Sequence, residues 1–459
     1  MVTDSGETNL LGNRAIVVGA GMGGLMAAGV LARYFSEVII LDKDDLPDDF
    51  VPRKSVPQGA HVHALLVQGR RNLEKIFPGL TSDLIDRGVV CSRGGLEFCV
   101  HDDFGWQPKR DLDLLLLTMS RPLLEGTVRE HVMRNDRVSI RGKCRVEGWD
   151  VTDGVLTGVT IKGENGPETV AADLVIDATG RSGNSLSWLE ASGYGPVEET
   201  TLEIGTGYAS ALFKQPENWS SPVDSMSITT AYPDTRGGFL FSVEGGHWFA
   251  SLQGRFDQQP TGDPDEFMAF AKSLCVPDYY DWISQGERVT PIKTYKAPIS
   301  RWRHYDRLAD FPERLLPLGD AVAHVNPVYG QGMTLASSHA MDLWDILAGQ
   351  AANDGVLDGL AKPYFDRVQR FTQSVWSTLE NVEYTYAGTK GNRPADIDMR
   401  IAYRAGLRKL IDHDADLHKL MIEVGHLVQS SEVMLAPDIM ARVMDVIQAT
   451  PQANAAAAQ

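Results

Sequence analysis

Near the start of the chain, Gly19-Ala20-Gly21-Met22-Gly23-Gly24 carries the spacing G-x-G-x-x-G. Glycines at those intervals do separate jobs between a strand and a helix. Gly19 permits the sharp turn, Gly21 lets a pyrophosphate approach the backbone, and Gly24 lets helix and strand pack closely. The first N–H groups of the helix, which have no intrahelical partners, then face the phosphates. Asp42 follows about twenty residues on, where a carboxylate can accept from ribose hydroxyls. This arrangement expects an adenine dinucleotide. The elements that must position it are a buried strand over 14–18, a helix over 24–34 rich in Ala and Leu, and a second apolar strand over 38–41 that runs into Asp42. Together they make a compact βαβ unit.

A second constellation selects among dinucleotides. Leu315-Leu316-Pro317-Leu318-Gly319-Asp320 reads as a strand running into an aspartate. After it, His324-Val325-Asn326-Pro327-Val328-Tyr329-Gly330-Gln331-Gly332-Met333 reads as a Pro/Gly loop that opens a helix over 333–347. FAD is long, and its ribityl chain and isoalloxazine need a contact point far from the ADP half. Asp320 can bind ribityl hydroxyls. Gly330, Gly332 and the helix start offer N–H groups where negative charge gathers on a reduced flavin. His324, close to the same loop, can donate a hydrogen bond. FAD is therefore the expected cofactor.

The pair of motifs resembles the FAD-dependent monooxygenases of the para-hydroxybenzoate hydroxylase fold. More narrowly, Pro52-Arg53-Lys54-Ser55-Val56-Pro57-Gln58-Gly59-Ala60-His61-Val62-His63 resembles a stretch of the flavin epoxidases of polyether-antibiotic pathways. So do Ser120-Arg121-Pro122-Leu123-Leu124, Asp177-Ala178-Thr179-Gly180-Arg181 and Asn326-Pro327-Val328-Tyr329-Gly330-Gln331-Gly332-Met333. The resemblance implies that Gly19, Gly21, Gly24 and Asp42 hold the ADP half of FAD. It implies Arg121 near the ribityl and pyrophosphate, Arg53 and Gln58 beside the flavin, and the Val146 backbone near the adenine. Asp320 would hold the ribityl chain, and Pro327, Gly330, Gly332 and Met333 would line the isoalloxazine. The implied reaction uses O2 and a flavin C4a-hydroperoxide to epoxidise or hydroxylate a large apolar natural product, an alkene or an aromatic. Such chemistry needs no nucleophile–base constellation, and none is found.

Two departures bear on that reaction. Many aromatic hydroxylases of this fold carry an Asp-Gly motif bound up with FAD and NAD(P)H, where this chain has Asp177-Ala178-Thr179-Gly180. The electron source, NADPH or NADH, then acts directly or through a separate flavin reductase. The W-x-W-x-I-P signature of flavin halogenases is also missing, since Trp302-Arg303-His304 does not fit it. Two other readings stay open: a flavin reductase that saturates alkenes of a prenyl lipid, and a non-enzymatic flavin-binding redox module.

Between Pro196 and Pro298 the texture becomes β-like, with turn residues between short apolar runs. Tyr208, Met226, Tyr232, Phe239, Phe241, Trp248 and Phe249 supply aromatic and apolar surface there, and the period of two at Phe239 and Phe241 gives the sheet an apolar face. That face reads either as core packing or as the roof of the flavin and the pocket of a large apolar substrate, and the second is the expected role. His61 and His63 lack a third ligand, and a helix is expected from about His61 to Ile76, so no metal site is assigned.

The expected fold is α/β: a Rossmann-like FAD-binding domain, an inserted, mainly antiparallel β-sheet substrate domain and a helical C-terminal region. FAD-binding segments fall at 13–88, 113–195 and 308–350, with substrate-domain strands at 89–112 and the main substrate sheet at 196–307. A helical region follows over 351–452, then a disordered tail over 453–459. A chain of 459 residues has ample core for two or three domains at ~100–200 residues each. With 61 acidic against 43 basic residues it lacks the basic footprint of a nucleic-acid binder. Cys91, Cys99, Cys144 and Cys275 form no C-x-x-C pair, which suits a reducing compartment. The uncharged stretch Ala15–Ala32 is too rich in glycine for a membrane span, and the expected location is the cytoplasm.

Overall fold

The computed structural model describes residues 9–47, 49–53, 55–163, 166–229, 234–353 and 355–449. The tail over 453–459 and Tyr232 lie outside the described residues. Five parallel strands form the base of the molecule, in the order Leu315–Pro317, Leu174–Asp177, Gly12–Val18, Phe35–Leu41 and Val138–Arg141. The central strand is covered on both faces, so Ala15, Ile16 and Val17 are fully buried and read as one apolar run. Helix Met22–Leu31 packs on one face, in contact with Arg121–Met133 and Gly332–Ala352. A three-stranded antiparallel sheet, Arg145–Thr152, Val155–Gly163 and Gly166–Ala171, packs near the base sheet. Its first hairpin turns at Asp153-Gly154, whose φ values of 52° and 80° suit a tight two-residue turn.

All five base strands run the same way, so their carboxyl ends share one edge. Gly19, Asp42, Asp177 and the Gly319-Asp320 turn all stand at that edge. In open α/β sheets this is where ligands bind.

Above that edge lies a ten-stranded sheet. Its main path is Ala323–His324, Lys293–Arg303, Glu199–Lys214, His247–Arg255, Arg236–Val243, Ser225–Ile228, Phe98–Asp102 and Gly105–Trp106. The outermost strand belongs to the second motif, with His324 opposite Arg301 and Ala323 opposite Trp302. One end of the Asp320–Met333 segment is thus hydrogen-bonded into the upper sheet. Among the described residues, no helix is long and apolar enough to cross a membrane.

Several elements differ from the sequence expectation. The helix expected from about His61 starts only at Val67; the 3-10 turn Pro57–Ala60 precedes it and His63–Leu65 forms a short strand. The strand forms because it pairs with Leu115–Met119, a partner about fifty positions away that local propensity cannot see. Val90–Arg93 joins the same small sheet, whereas Phe98–Asp102 pairs parallel with Ser225–Ile228, so the strands over 89–112 divide between two sheets. Helices Pro264–Lys272 and Pro277–Ile283, inside the segment expected to be mainly antiparallel sheet, cover one face of the upper sheet.

Candidate functional site

The glycine turn behaves as its spacing requires. Gly19 sits at φ +105°, and a Cβ there would come within 2.5 Å of the Ala178 carbonyl oxygen. A Cβ on Gly24 would lie 1.8 Å from the Gly19 carbonyl oxygen, so helix and turn touch backbone to backbone. Gly21 differs: a Cβ there meets nothing within 4 Å. Gly21 is also the N-cap of helix Met22–Leu31 and provides no side-chain cap for its N–H groups. Open space beside uncapped donors is what an incoming pyrophosphate needs.

Asp42 is buried and accepts from Ala20 N–H at 2.6 Å and from Asp44 N–H at 2.8 Å. Arg53 approaches the same carboxylate at 3.5 Å, donates to the Ala20 carbonyl at 3.1 Å, and pairs with Glu125 at 2.7 Å. Arg121 holds the other Glu125 oxygen at 2.9 Å from the first turn of helix Arg121–Met133, which Ser120 caps. These partners place Arg53 at the glycine turn. Two guanidiniums face three carboxylates (Asp42, Asp44 and Glu125), so the cluster carries no surplus positive charge. Phosphate charge at this turn would therefore fall on the helix N–H groups. Gln58 is half-buried on the Pro57–Ala60 turn, whose Gly59 faces the Arg121 stem. Val146 sits just after Cys144, whose N–H donates to the Asp42 carbonyl; the Val146 carbonyl accepts from Asn184 Nδ2 at 3.0 Å.

The second motif lies beside the first. A Cβ on Gly23 would meet Leu318 at 3.1 Å and Ala336 at 3.8 Å, so the two helix starts are neighbours. Gly319 takes φ +66°, and Asp320 follows with its side chain 30% exposed. Burial pushes the Asp320 carboxyl pKa up. The hydrogen bond and charge of His324 at 3.2 Å, with the charges of Arg181 and Arg121, outweigh that and hold it below the ordinary carboxylate value. The Asp320 carboxylate also stands next to Gly332, the first residue of helix Gly332–Ala352, which has no side-chain cap. Pro327 starts the 3-10 turn Pro327–Tyr329, Gly330 follows at φ +65°, and Met333 is half-buried in the first helical turn. A cavity of about 390 Å³ adjoins Asp320 and His324, with Arg181, Ser182, Arg301 and Arg303 in its wall.

Asp177 ends the strand beside Gly19. Its carboxylate is fully buried and accepts from the N–H and hydroxyl groups of both Thr179 and Ser185, at 2.6–3.0 Å. It thereby fixes the loop in which this chain departs from Asp-Gly.

The expected substrate pocket divides between two faces. Tyr208, Phe239, Phe241 and Phe249 form one buried cluster with Val328, and Tyr329 and Ala64 pack against it, so this face meets the second motif directly. Met226 and Trp248 belong to the opposite face, packed with Phe267, Tyr279 and Trp282 of the covering helices. Successive strand residues point to opposite sides, so Trp248 and Phe249 cannot share a pocket. Met226 and Trp248 are core, which corrects the sequence assignment.

Sequence reasoning missed a polar line within the aromatic face. Ser251 Oγ lies 2.6 Å from Ser210 Oγ, which lies 2.8 Å from His61 Nδ1. Ser251 is fully buried, and Ser210 is the only partner of its hydroxyl among the described residues. Its proton therefore goes to Ser210, the Ser210 proton goes to Nδ1, and His61 keeps its own proton on Nε2 as a donor. Burial lowers the His61 pKa to about 4, so the ring is neutral at pH 7. The clue in the sequence was phase: Ser210 lies two residues from Tyr208 and so shares its face. His63 donates from Nδ1 to the His61 carbonyl at 2.8 Å, and among the described residues no group of three His, Cys, Asp or Glu could hold a metal ion.

A parallel sheet bearing a dinucleotide-type turn, a neighbouring Gly-Asp turn and a mainly antiparallel sheet packed against the second motif define the class of FAD-binding proteins with the para-hydroxybenzoate hydroxylase fold. The sequence agrees: a family model described as an FAD binding domain matches residues 113–375, and the chain belongs to that family. The chain is 31% identical over 385 residues to protein Rv3254 of Mycobacterium tuberculosis, covering 80% of each. It is 27% identical over 392 residues to the kynurenine 3-monooxygenase of Salinispora arenicola, covering 77% of each. Among solved structures it resembles the flavin-dependent brominase Bmp2 with a TM-score of 0.68 over 95% of this chain and 98% of that one. At 13% identity that likeness speaks for the fold alone. The chain is a flavoprotein oxidoreductase of the flavin-dependent monooxygenase family.

Proposed function

We propose that this protein is an FAD-dependent monooxygenase that epoxidises or hydroxylates a large, hydrophobic natural-product substrate, an alkene or an aromatic. The observation that carries the proposal is the direct contact between the aromatic face of the upper sheet and the Pro327–Gly332 loop, beside two uncapped helix starts. When bound and reduced, FAD supplies the electrons that activate O2 for transfer of one oxygen atom. The helix starts at Met22 and Gly332 hold phosphate and flavin charge with backbone N–H groups, and Asp320 accepts from ribityl hydroxyls. Tyr208, Phe239, Phe241 and Phe249 orient an apolar substrate and keep water out, while His61 Nε2–H gives that face one polar contact. NADPH or NADH supplies the electrons, directly or through a flavin reductase; the arginine-lined cavity beside Asp320 suits a phosphate-bearing donor.

The test is product analysis under 18O2, with styrene and 1-naphthol as alkene and arene probes. Label in the product is the expected outcome. A saturated, unlabelled product would support the alkene reductase instead. No turnover, with flavin reoxidation that neither probe accelerates, would support a redox module.

A further inference from the structure

Glu383 is the last residue of helix Ala361–Glu383 and is fully buried. A carboxylate at a helix C-terminus faces the negative end of the helix dipole and is unfavourable unless something compensates it. Here the compensation comes from two other parts of the molecule. From the upper sheet, Arg255, 4% exposed, pairs with the Glu383 carboxylate and stacks its guanidinium over Tyr386 at 4.1 Å. From the second motif, Asn326 Nδ2 donates to Glu383 Oε1 at 2.6 Å, and Tyr329 OH donates to the same oxygen at 2.9 Å.

Those two donors are the N-cap and the last residue of the 3-10 turn Pro327–Tyr329. Because Asn326 spends its amide N–H on Glu383, its Oδ1 faces the other way, where it caps Val328 N–H at 3.2 Å and accepts from Tyr208 OH at 3.2 Å. The amide orientation is fixed from both ends. The same helix holds the Gly319 turn as well: Thr372 hydrogen-bonds to His339 Nε2 at 3.2 Å, and His339 Nδ1 accepts from Gly319 N–H at 3.2 Å.

We propose that Glu383, paired with Arg255, is a positioning residue that sets the Pro327–Gly332 loop, and so fixes where its backbone N–H groups meet the flavin. The proposal rests on the reading that FAD binds at this loop. A salt bridge that merely stabilised the fold could be exchanged for well-packed apolar residues with little loss. A pair that positions the loop could not, because Asn326 and Tyr329 would lose their acceptor.

The test compares three proteins: the wild type, the double variant Arg255→Met with Glu383→Leu, and Tyr329→Phe. Each is stripped of flavin, scanned for thermal unfolding, titrated with FAD by fluorescence quenching, and poised against reference dyes for its flavin potential. The double variant is expected to unfold below the wild-type temperature, because Asn326 and Tyr329 keep no acceptor, and to bind FAD at least tenfold more weakly once folded. Its reduced flavin is expected to lose a further tenfold relative to the oxidised form, a potential about 30 mV more negative for a two-electron couple. Tyr329→Phe, which keeps the Arg255–Glu383 pair, should move both values in the same direction by less. Wild-type affinity and potential in both variants would overturn the proposal. If the double variant fails to fold, Tyr329→Phe decides alone. A wild type that takes up no FAD would instead overturn the underlying FAD reading.

Discussion

Gly21 and Gly24 stand three residues apart in one turn, and the structure assigns them opposite consequences. A methyl on Gly24 would lie 1.8 Å from the Gly19 carbonyl oxygen and 3.2 Å from Val17 Cγ1. Carbon and oxygen that are not bonded settle at about 3.3 Å or more, so helix and turn would have to separate by roughly 1.5 Å. Both sides are backbone, so no side chain can swing away, and overpacking of this kind costs about 1–3 kcal/mol or more. A methyl on Gly21 meets nothing within 4 Å, and the φ of −75° and ψ of 179° there suit alanine. Its effect on folding is limited to the weaker N-cap, no more than about 1 kcal/mol. That methyl would occupy the space through which the pyrophosphate reaches the helix N–H groups. Gly21→Ala should therefore lose at least tenfold in FAD affinity, about 1.4 kcal/mol, with an almost unchanged apoprotein. Gly24→Ala should lose apoprotein stability first. The assay is urea unfolding of both apoproteins followed by tryptophan fluorescence, beside FAD titration. Wild-type FAD affinity in Gly21→Ala would refute the reasoning about the open side of the turn, and wild-type stability in Gly24→Ala would refute the reasoning about its closed side.

Three further outcomes are expected. Glu125→Ala leaves Arg53 and Arg121 buried without their shared carboxylate and should destabilise the apoprotein by about 3–5 kcal/mol in denaturant unfolding; a loss under 1 kcal/mol would mean that water already screens the cluster. Met226→Ala should cost about 2–5 kcal/mol of stability and leave FAD affinity and flavin spectrum unchanged, because Met226 faces the covering helices; a shifted spectrum would place it on the flavin side after all. Burial holds the His339 pKa at about 3 against 6.5, so its stabilising contribution is complete above pH 6.5 and is lost as pH falls toward 3. The slope is about 1.4 kcal/mol per pH unit for one such imidazole, and His339→Gln should flatten the stability–pH curve in that window by that amount. An equally steep curve in the variant would show that the imidazole does not titrate as its burial demands.

The legible part of this molecule was local. The glycine turn, Asp42 and the Gly319-Asp320 turn each declare themselves within a few residues, because backbone freedom and a charge at a strand end leave a mark in spacing. What stayed hidden depends on distant partners. Glu383 gains its meaning from Arg255, Asn326 and Tyr329, and nothing in the helical periodicity of 361–383 separates it from a solvated charge. The face that Met226 occupies depends on helices Pro264–Lys272 and Pro277–Ile283, which the sequence reading did not assign. His63–Leu65 became a strand only because Leu115–Met119 lies beside it. The partners of Arg53, Ala20 and Glu125, stayed hidden because they lie on either side of it in sequence and converge only in the fold.

The central claim is that two neighbouring helix starts hold one flavin between them. Titration of FAD into the purified apoprotein tests it most directly. The account predicts saturation at one FAD per chain, with the fluorescence quenched and the visible bands of the bound chromophore resolved. Fluorescence that stays at the free-flavin level through the titration, with a colourless protein recovered afterwards, would contradict it.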